Sequence, residues 1–376
     1  MHNRRAFALS FLVLLLASCS KLMPLGKWSE QDTGTGDAFF SVNFVNENVG
    51  WLNGQTDRSS EIVEESGNAN KPKKQPLPGK KPEDPLKANQ GFEVLQTTDG
   101  GQTWKQIKDQ FKYKIRSVRF VDPRNGWALT IDRDILRTED GGESWALQRK
   151  AKTVKMKLIG NRRDPVVDSP EQIESVFFVD SAHGWAWGGG RKDEYSEQPG
   201  TFLITGDAGA HWNEIVYPFE QAVSKLFFLD REHGWASTLN EGGFYSTTDG
   251  GLNWTSIKTK RPELIFDSIF FTDKDTGWVV GHSGRMAKTT DGGRTWRKMY
   301  EIKDEFLMRD VCFSDRDHGW AIGDNGAILY TPDAGVTWIS VDSPTQSRLL
   351  AISLVKPGIV GWAAGLKGAL IRFDKQ

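Results

Sequence analysis

Six aspartates, Asp99, Asp140, Asp207, Asp249, Asp291 and Asp333, stand in one context, Thr-x-Asp-x-Gly-x-x-Trp, from Thr97–Trp104 to Thr331–Trp338. Repeated carboxylates could do acid–base or metal chemistry if the copies converged. Each copy, however, carries the parts of a complete hairpin turn. Gly at the fifth position supplies a positive φ without steric cost. The carboxylate can accept the turn's own backbone N–H groups. The Trp opens the next strand with a large apolar face to bury. These aspartates are expected to build hairpins. The histidines fit the same logic: His183, His233 and His318 each precede a Gly-Trp pair and His211 lies inside a hairpin, so no zinc spacing results. Gly188-Gly189-Gly190-Arg191-Lys192 lacks the ending and the following helix of a phosphate loop. The two cysteines, Cys19 and Cys312, exclude a disulfide framework, and Cys312 within Asp310–Phe313 reads as a small buried hydrophobe. No catalytic residue, metal site or cofactor is expected.

The elements that carry these residues are themselves periodic. A second repeat, apolar-x-Phe-x-Asp-x-x-x-Gly-Trp, interleaves with the first; its tryptophans are Trp51, Trp127, Trp185, Trp235, Trp278, Trp320 and Trp362. The last three intervals are 43, 42 and 42 residues. That period, with two-residue apolar alternation and Gly-rich turns, predicts an all-β chain of four-stranded propeller blades. Hairpin Trp to Gly-Trp spacing is 23 or 24 residues, and Trp28 precedes Trp51 by 23. Lys27-Trp28-Ser29 is therefore an outer strand without its own blade, while the C-terminal blade has three strands and then ends. The N-terminal strand around Trp28 should complete the last of seven blades and remove the free edge. The remaining tryptophan, Trp187, sits at a packing position on a second strand.

With strands A to D running outward from the axis, Gly-Trp opens B and the Asp hairpin joins C to D. The B–C loops and the D-to-A links then share the opposite face. Three insertions depart from the repeat there, at about 55–90, 149–168 and 188–199. Loops on a rigid scaffold carry function more often than the scaffold does. The first insertion is Pro- and Lys-rich and of mixed sign. The second carries Arg149, Lys150, Lys152, Lys155, Lys157, Arg162 and Arg163 without an acidic residue through position 163, and Lys155–Leu158 alternates as an added strand would. That run is either a partner surface for acidic groups or lipid headgroups, or a solvated loop. The whole chain has a net charge of −1, so no nucleic-acid partner is expected.

Residues 1–18 read as a signal peptide: Arg4 and Arg5, then an apolar stretch too short to span a bilayer. Leu16-Ala17-Ser18-Cys19 resembles a bacterial lipobox. It implies lipidation of Cys19, residues 19–24 as a tether, and a propeller over 25–376. The expected location is the cell envelope, at the periplasmic face of the outer membrane in a two-membraned cell and otherwise at the extracytoplasmic face of the cell membrane.

The hairpins are Asp-box, sialidase-type (BNR) repeats. Together with the Phe-x-Asp-x-x-x-Gly-Trp units and the lipoprotein signal, the chain resembles the photosystem II assembly and stability factor propellers. The resemblance implies a non-enzymatic, monomeric scaffold that binds protein partners, membrane proteins among them, during assembly of a membrane or envelope complex. Arg116 and Arg309, near the starts of inner strands, match the arginine-bearing surface of such propellers. The alternatives are a sialidase-like glycoside hydrolase and an envelope carbohydrate-binding module. The hydrolase needs an arginine triad, a Tyr–Glu pair and an Asp acid, and its Arg-Ile-Pro-like motif is absent.

Overall fold

The computed structural model describes residues 26–55, 91–107, 110–158, 166–190, 196–197, 199–239, 243–258, 266–281, 285–301, 307–355 and 360–375. Seven four-stranded antiparallel sheets form a seven-bladed β-propeller. Six blades take their strands in chain order. In the seventh, Gly26–Glu30 pairs with Leu370–Lys375, register Trp28 to Phe373, and closes the ring as the spacing of Trp28 predicts. The signal peptide, Cys19, the tether up to position 24, most of the 55–90 insertion, Arg162 and Arg163 lie outside the described residues.

The core is divided among the blade interfaces, with seven apolar clusters that each combine two neighbouring blades. One repeated contact explains the second motif. The Phe of each of the first six units lies flat on the Gly-Trp indole of the preceding blade, as in Trp51–Phe120, Trp127–Phe178 and Trp185–Phe228, with ring centroids 3.4–3.5 Å apart. The Gly before each Trp makes room for the Phe of its own blade: a Cβ on Gly126 would stand 2.4 Å from the Phe120 ring. In the seventh unit Leu354 replaces Phe. There Trp28 fills the interface, edge-on to Trp320 at 5.4 Å.

The hairpin motif is tied into the same joint. In the Asp249 hairpin, Thr247 Oγ1 accepts the Gly251 N–H at 2.9 Å and donates to Asp249 Oδ1 at 2.7 Å. Asp249 in turn accepts the Asn253 backbone N–H at 2.9 Å. The fourth residue of each hairpin then receives the preceding blade's indole N–H: Trp127 donates to Ala208 O at 2.9 Å, Trp185 to Gly250 O at 2.8 Å and Trp235 to Gly292 O at 3.0 Å. Trp278 and Trp362 make the same bond to Ala334 and Gly100. At the first interface Gln96 Nε2 supplies the donor to Gly141 O instead. The two motifs are thus halves of one inter-blade fastener, which explains why the aspartates are spent on folding.

Candidate partner-binding surface

The inner strands begin at the face opposite the Asp hairpins. In six of the seven, a β-bulge falls at the same place in the repeat, at Phe40, Arg116, Ser224, Asp267, Arg309 and Leu350. A bulge re-aims its side chain out of the pleat and is common at barrel rims. Glu174 occupies the corresponding place in the third blade. Four of these residues, Phe40, Arg116, Glu174 and Ser224, line the mouth of the central channel.

The two arginines proposed from sequence have different surroundings. Arg309 is matched by acidic neighbours, with Nε 3.0 Å from Asp324 Oδ1 and Nη1 3.6 Å from Asp267 Oδ2. Asp324 also takes Arg348 at 2.7 Å. Arg116 differs: its Nη1 is buried and finds no hydrogen-bond partner. Beside it is Arg133, in the B–C turn at φ 70°, donating to Ile173 O at 3.3 Å. Burial and the Arg116 charge hold the Arg133 pKa below its usual value, and Glu174 opposes them. Deeper in the channel, Arg119 Nε is likewise buried without a partner, and its guanidinium faces the Phe177 ring at 5.2 Å. Blade 2 therefore lines the channel with two guanidinium groups, Arg116 and Arg119, that each keep a buried N–H without an acceptor. Sequence reading had singled out Arg116 but neither Arg119 nor Arg133. The signal available was positional: Arg119 directly precedes the Phe of its repeat, a place left free by the inter-blade packing.

The basic insertion forms its own sheet. Thr153–Leu158 pairs with Val166–Pro170, and its end pairs with Ser196–Glu197, so the second and third insertions join into one three-stranded element. Among the described basic side chains, Arg149, Lys152 and Lys155 meet acidic partners within it or at its base. Arg149 belongs to the outer strand of blade 2, Ala146–Arg149, and not to the insertion. It makes a double bond pattern with Glu171, Nη1 to Oε2 at 2.7 Å and Nη2 to Oε1 at 3.0 Å. Glu171 is 1% exposed. Burial opposes its charge, yet the Arg149 bonds and the Lys152 backbone N–H hold its carboxyl below the usual range. Lys152 reaches Glu214 at 2.5 Å, and Lys155 pairs with Asp168 across the added strands. Lys150 and Lys157 are exposed. A run without acids in sequence is thus partly neutralised in space by Asp168, Glu171 and Glu214. The third insertion also starts later than the spacing suggests, since Gly188 and Gly189 end a blade strand.

The histidines complete turns. His183, His233 and His318 place Nδ1 within 2.9–3.0 Å of Asp180, Asp230 and Asp315, and His211 places it 2.6 Å from Asp207. Cys312 is buried on the inner strand of blade 6, and burial pushes its thiol pKa up. Trp187 is buried between blades 3 and 4.

Residues 204–303 match the family model described as Photosynthesis system II assembly factor YCF48. The chain is a seven-bladed propeller in which about a quarter of the residues are similar to photosystem II assembly factors. Its likeness to the photosystem II stability/assembly factor HCF136, chloroplastic, of Oryza sativa subsp. japonica is 25% identity over 130 residues, 32% of this chain and 30% of that protein. Among solved structures, YCF48 bound to D1 peptide has a TM-score of 0.64 at 18% identity, covering 94% of this chain and 98% of that one. YCF48 from Cyanidioschyzon merolae has a TM-score of 0.64 at 17% identity, covering 92% and 98%. At these identities the structural likeness speaks for the fold alone.

Proposed function

We propose that the chain is a non-catalytic scaffold, tethered to the cell envelope through a lipid on Cys19, that holds a protein partner on the face bearing the insertions. The observation that carries this reading is Arg116 at the channel mouth, whose buried Nη1 has no acceptor, with the Arg133 guanidinium beside it. Buried guanidinium N–H groups without acceptors are costly to leave unmade, and a partner's carboxylates or carbonyls would satisfy them. The likeness to a propeller solved with a bound peptide supports a peptide or protein ligand. Lys150 and Lys157 extend the basic rim outward, while Arg309 serves the propeller through Asp267 and Asp324.

The hydrolase reading has less support. Tyr217 senses the Glu174 charge, but its hydroxyl donates to Gln221 O at 3.1 Å, and burial pushes its pKa up, the reverse of what an activated nucleophile needs.

The test is site-specific photo-crosslinking in native membranes. A crosslinker replacing Phe40, which is 47% exposed at the mouth, should capture a protein that one replacing Leu252, 59% exposed on an Asp hairpin, does not. Arg116→Gln with Arg133→Gln should abolish that capture. Equal capture from both faces, or capture that survives the double substitution, would overturn the assignment of the face.

A further inference from the structure

The channel interior has a chemistry of its own, distinct from its mouth. Together with its mouth it forms an open cavity of about 990 Å³, within the range of small-molecule sites. Its lining at the level of Arg119 is asymmetric. Phe177, Phe227 and Phe270 follow one another on blades 3, 4 and 5, with centroids 6.3 and 5.4 Å apart, and each is half-buried with part of its ring facing the channel. Arg119 closes one end of this aromatic wall, over Phe177. On the other side the polar groups are already occupied: Asn43 Oδ1 accepts the Phe120 N–H at 2.7 Å, and Ser353 Oγ accepts the Phe44 N–H at 3.0 Å.

The ionic groups decide what the wall would take. Asp310 is the acid whose charge Arg119 senses, and both its oxygens are already engaged. Its Oδ1 accepts Ser268 Oγ at 2.5 Å and the Val311 N–H at 3.1 Å, and its Oδ2 accepts the Ile352 N–H at 3.0 Å. A ligand ammonium would find that carboxylate engaged. Arg119, in contrast, keeps a buried Nε–H without an acceptor, and a guanidinium stays protonated even where burial lowers its pKa. Lys225 and Arg116 line the same cavity, so three cations face two acids, Asp310 and Glu174. The free chemistry is thus a cation next to a hydrocarbon face.

We infer that the channel binds a small aromatic carboxylate, its anionic head on the Arg119 guanidinium and its ring against Phe177, Phe227 and Phe270. The head gains a charge-assisted bond where a donor is otherwise unmet. The body gains offset or edge contacts at the centroid spacings that aromatic pairs prefer. No covalent step is involved. The site's determinants lie on the channel walls below the bulges, in the same cavity whose mouth carries Phe40 and Arg116.

The experiment is ligand-observed saturation-transfer NMR and calorimetry on the full-length chain with 3-phenylpropionate and its neutral isostere 3-phenylpropanamide. The carboxylate should bind saturably and at least about tenfold more tightly than the amide, with the ring protons receiving most of the transfer; about tenfold is one well-placed charged bond. Arg119→Met should remove the preference for the carboxylate, and Phe227→Ala should weaken both ligands. Absence of saturable binding at millimolar ligand, or equal binding of acid and amide by the unaltered protein, would overturn the proposal. The acid–amide comparison needs no variant, so the test stands even if Arg119→Met fails to fold.

Discussion

Replacing Trp28 by Ala should open the ring. In Gly26–Glu30 only Trp28 is buried, at 2% exposure, so the side-chain attachment of this strand rests on one indole. That indole meets Trp320 at 5.4 Å and Phe373 at 5.5 Å in the cluster between blades 6 and 7. Truncating a core Trp costs about 3–5 kcal/mol, the aromatic contacts included. With an unfolding entropy of about 2.1 cal/mol/K per residue, a propeller of roughly 350 residues has a total near 0.7 kcal/mol/K, so Tm should fall by about 4–7 °C. Local opening should be larger than this figure suggests. Five backbone pairs with Leu370–Lys375 would have no buried side chain holding them, and their amides should lose hydrogen-exchange protection before other blades do. Ser29→Ala, exposed on the same strand, is the control. A Trp28→Ala protein with unchanged Tm and protected Leu370–Lys375 amides would refute closure through Trp28.

Thr247→Val should cost about 1–3 kcal/mol, because the Gly251 N–H is left buried without its acceptor; Thr248→Val, exposed next to it, should be near neutral in the same urea titration. Stability should also fall as pH rises from about 4.5 to about 7. Burial, with the hydrogen bond and charge of Asp37, pushes the Glu93 pKa up to about 7 against the Gln106 and Thr35 bonds; the folded state then holds a proton that the unfolded chain has released. Asp37 sits on the segment linking the closing strand to blade 1, with its carbonyl accepting the Gly368 N–H at 2.8 Å. Glu93→Gln should flatten this slope in melts between pH 5 and 8, and an unaltered slope would assign it elsewhere. Below that window the opposite sign takes over, since hydrogen bonds from Thr103 and Thr97 lower the Asp99 pKa to about 2. Cys19→Ala should leave the melting curve unchanged and release the protein from membranes; unchanged membrane retention would remove the lipid anchor from the proposal.

What could be read from sequence was what the inter-blade joint demands. Phe120, Gly126 and Trp127 recur because a ring must lie flat over a glycine and under an indole at every interface. The Thr, Asp and Gly of the hairpin recur because the preceding blade's indole needs a carbonyl held in place. Trp28 was legible for the same reason, as the joint's only part found outside its own blade. Charge was less legible, since Lys152 and Lys155 find Glu214 and Asp168 only once the added strands have folded over blade 3. The channel lining escaped because it is what the joint leaves unconstrained. The residue before the repeat's Phe faces the axis, so it is free to be Asn43, Arg119, Phe177 or Cys312 from blade to blade without cost to packing. In a ring of near-identical blades, a ligand can be distinguished only by residues that differ among them. Variation at that place, and at the bulge that carries Arg116, is therefore what distinguishes one blade from another for a ligand, and it puts Arg119 and its aromatic neighbours on one side of the axis.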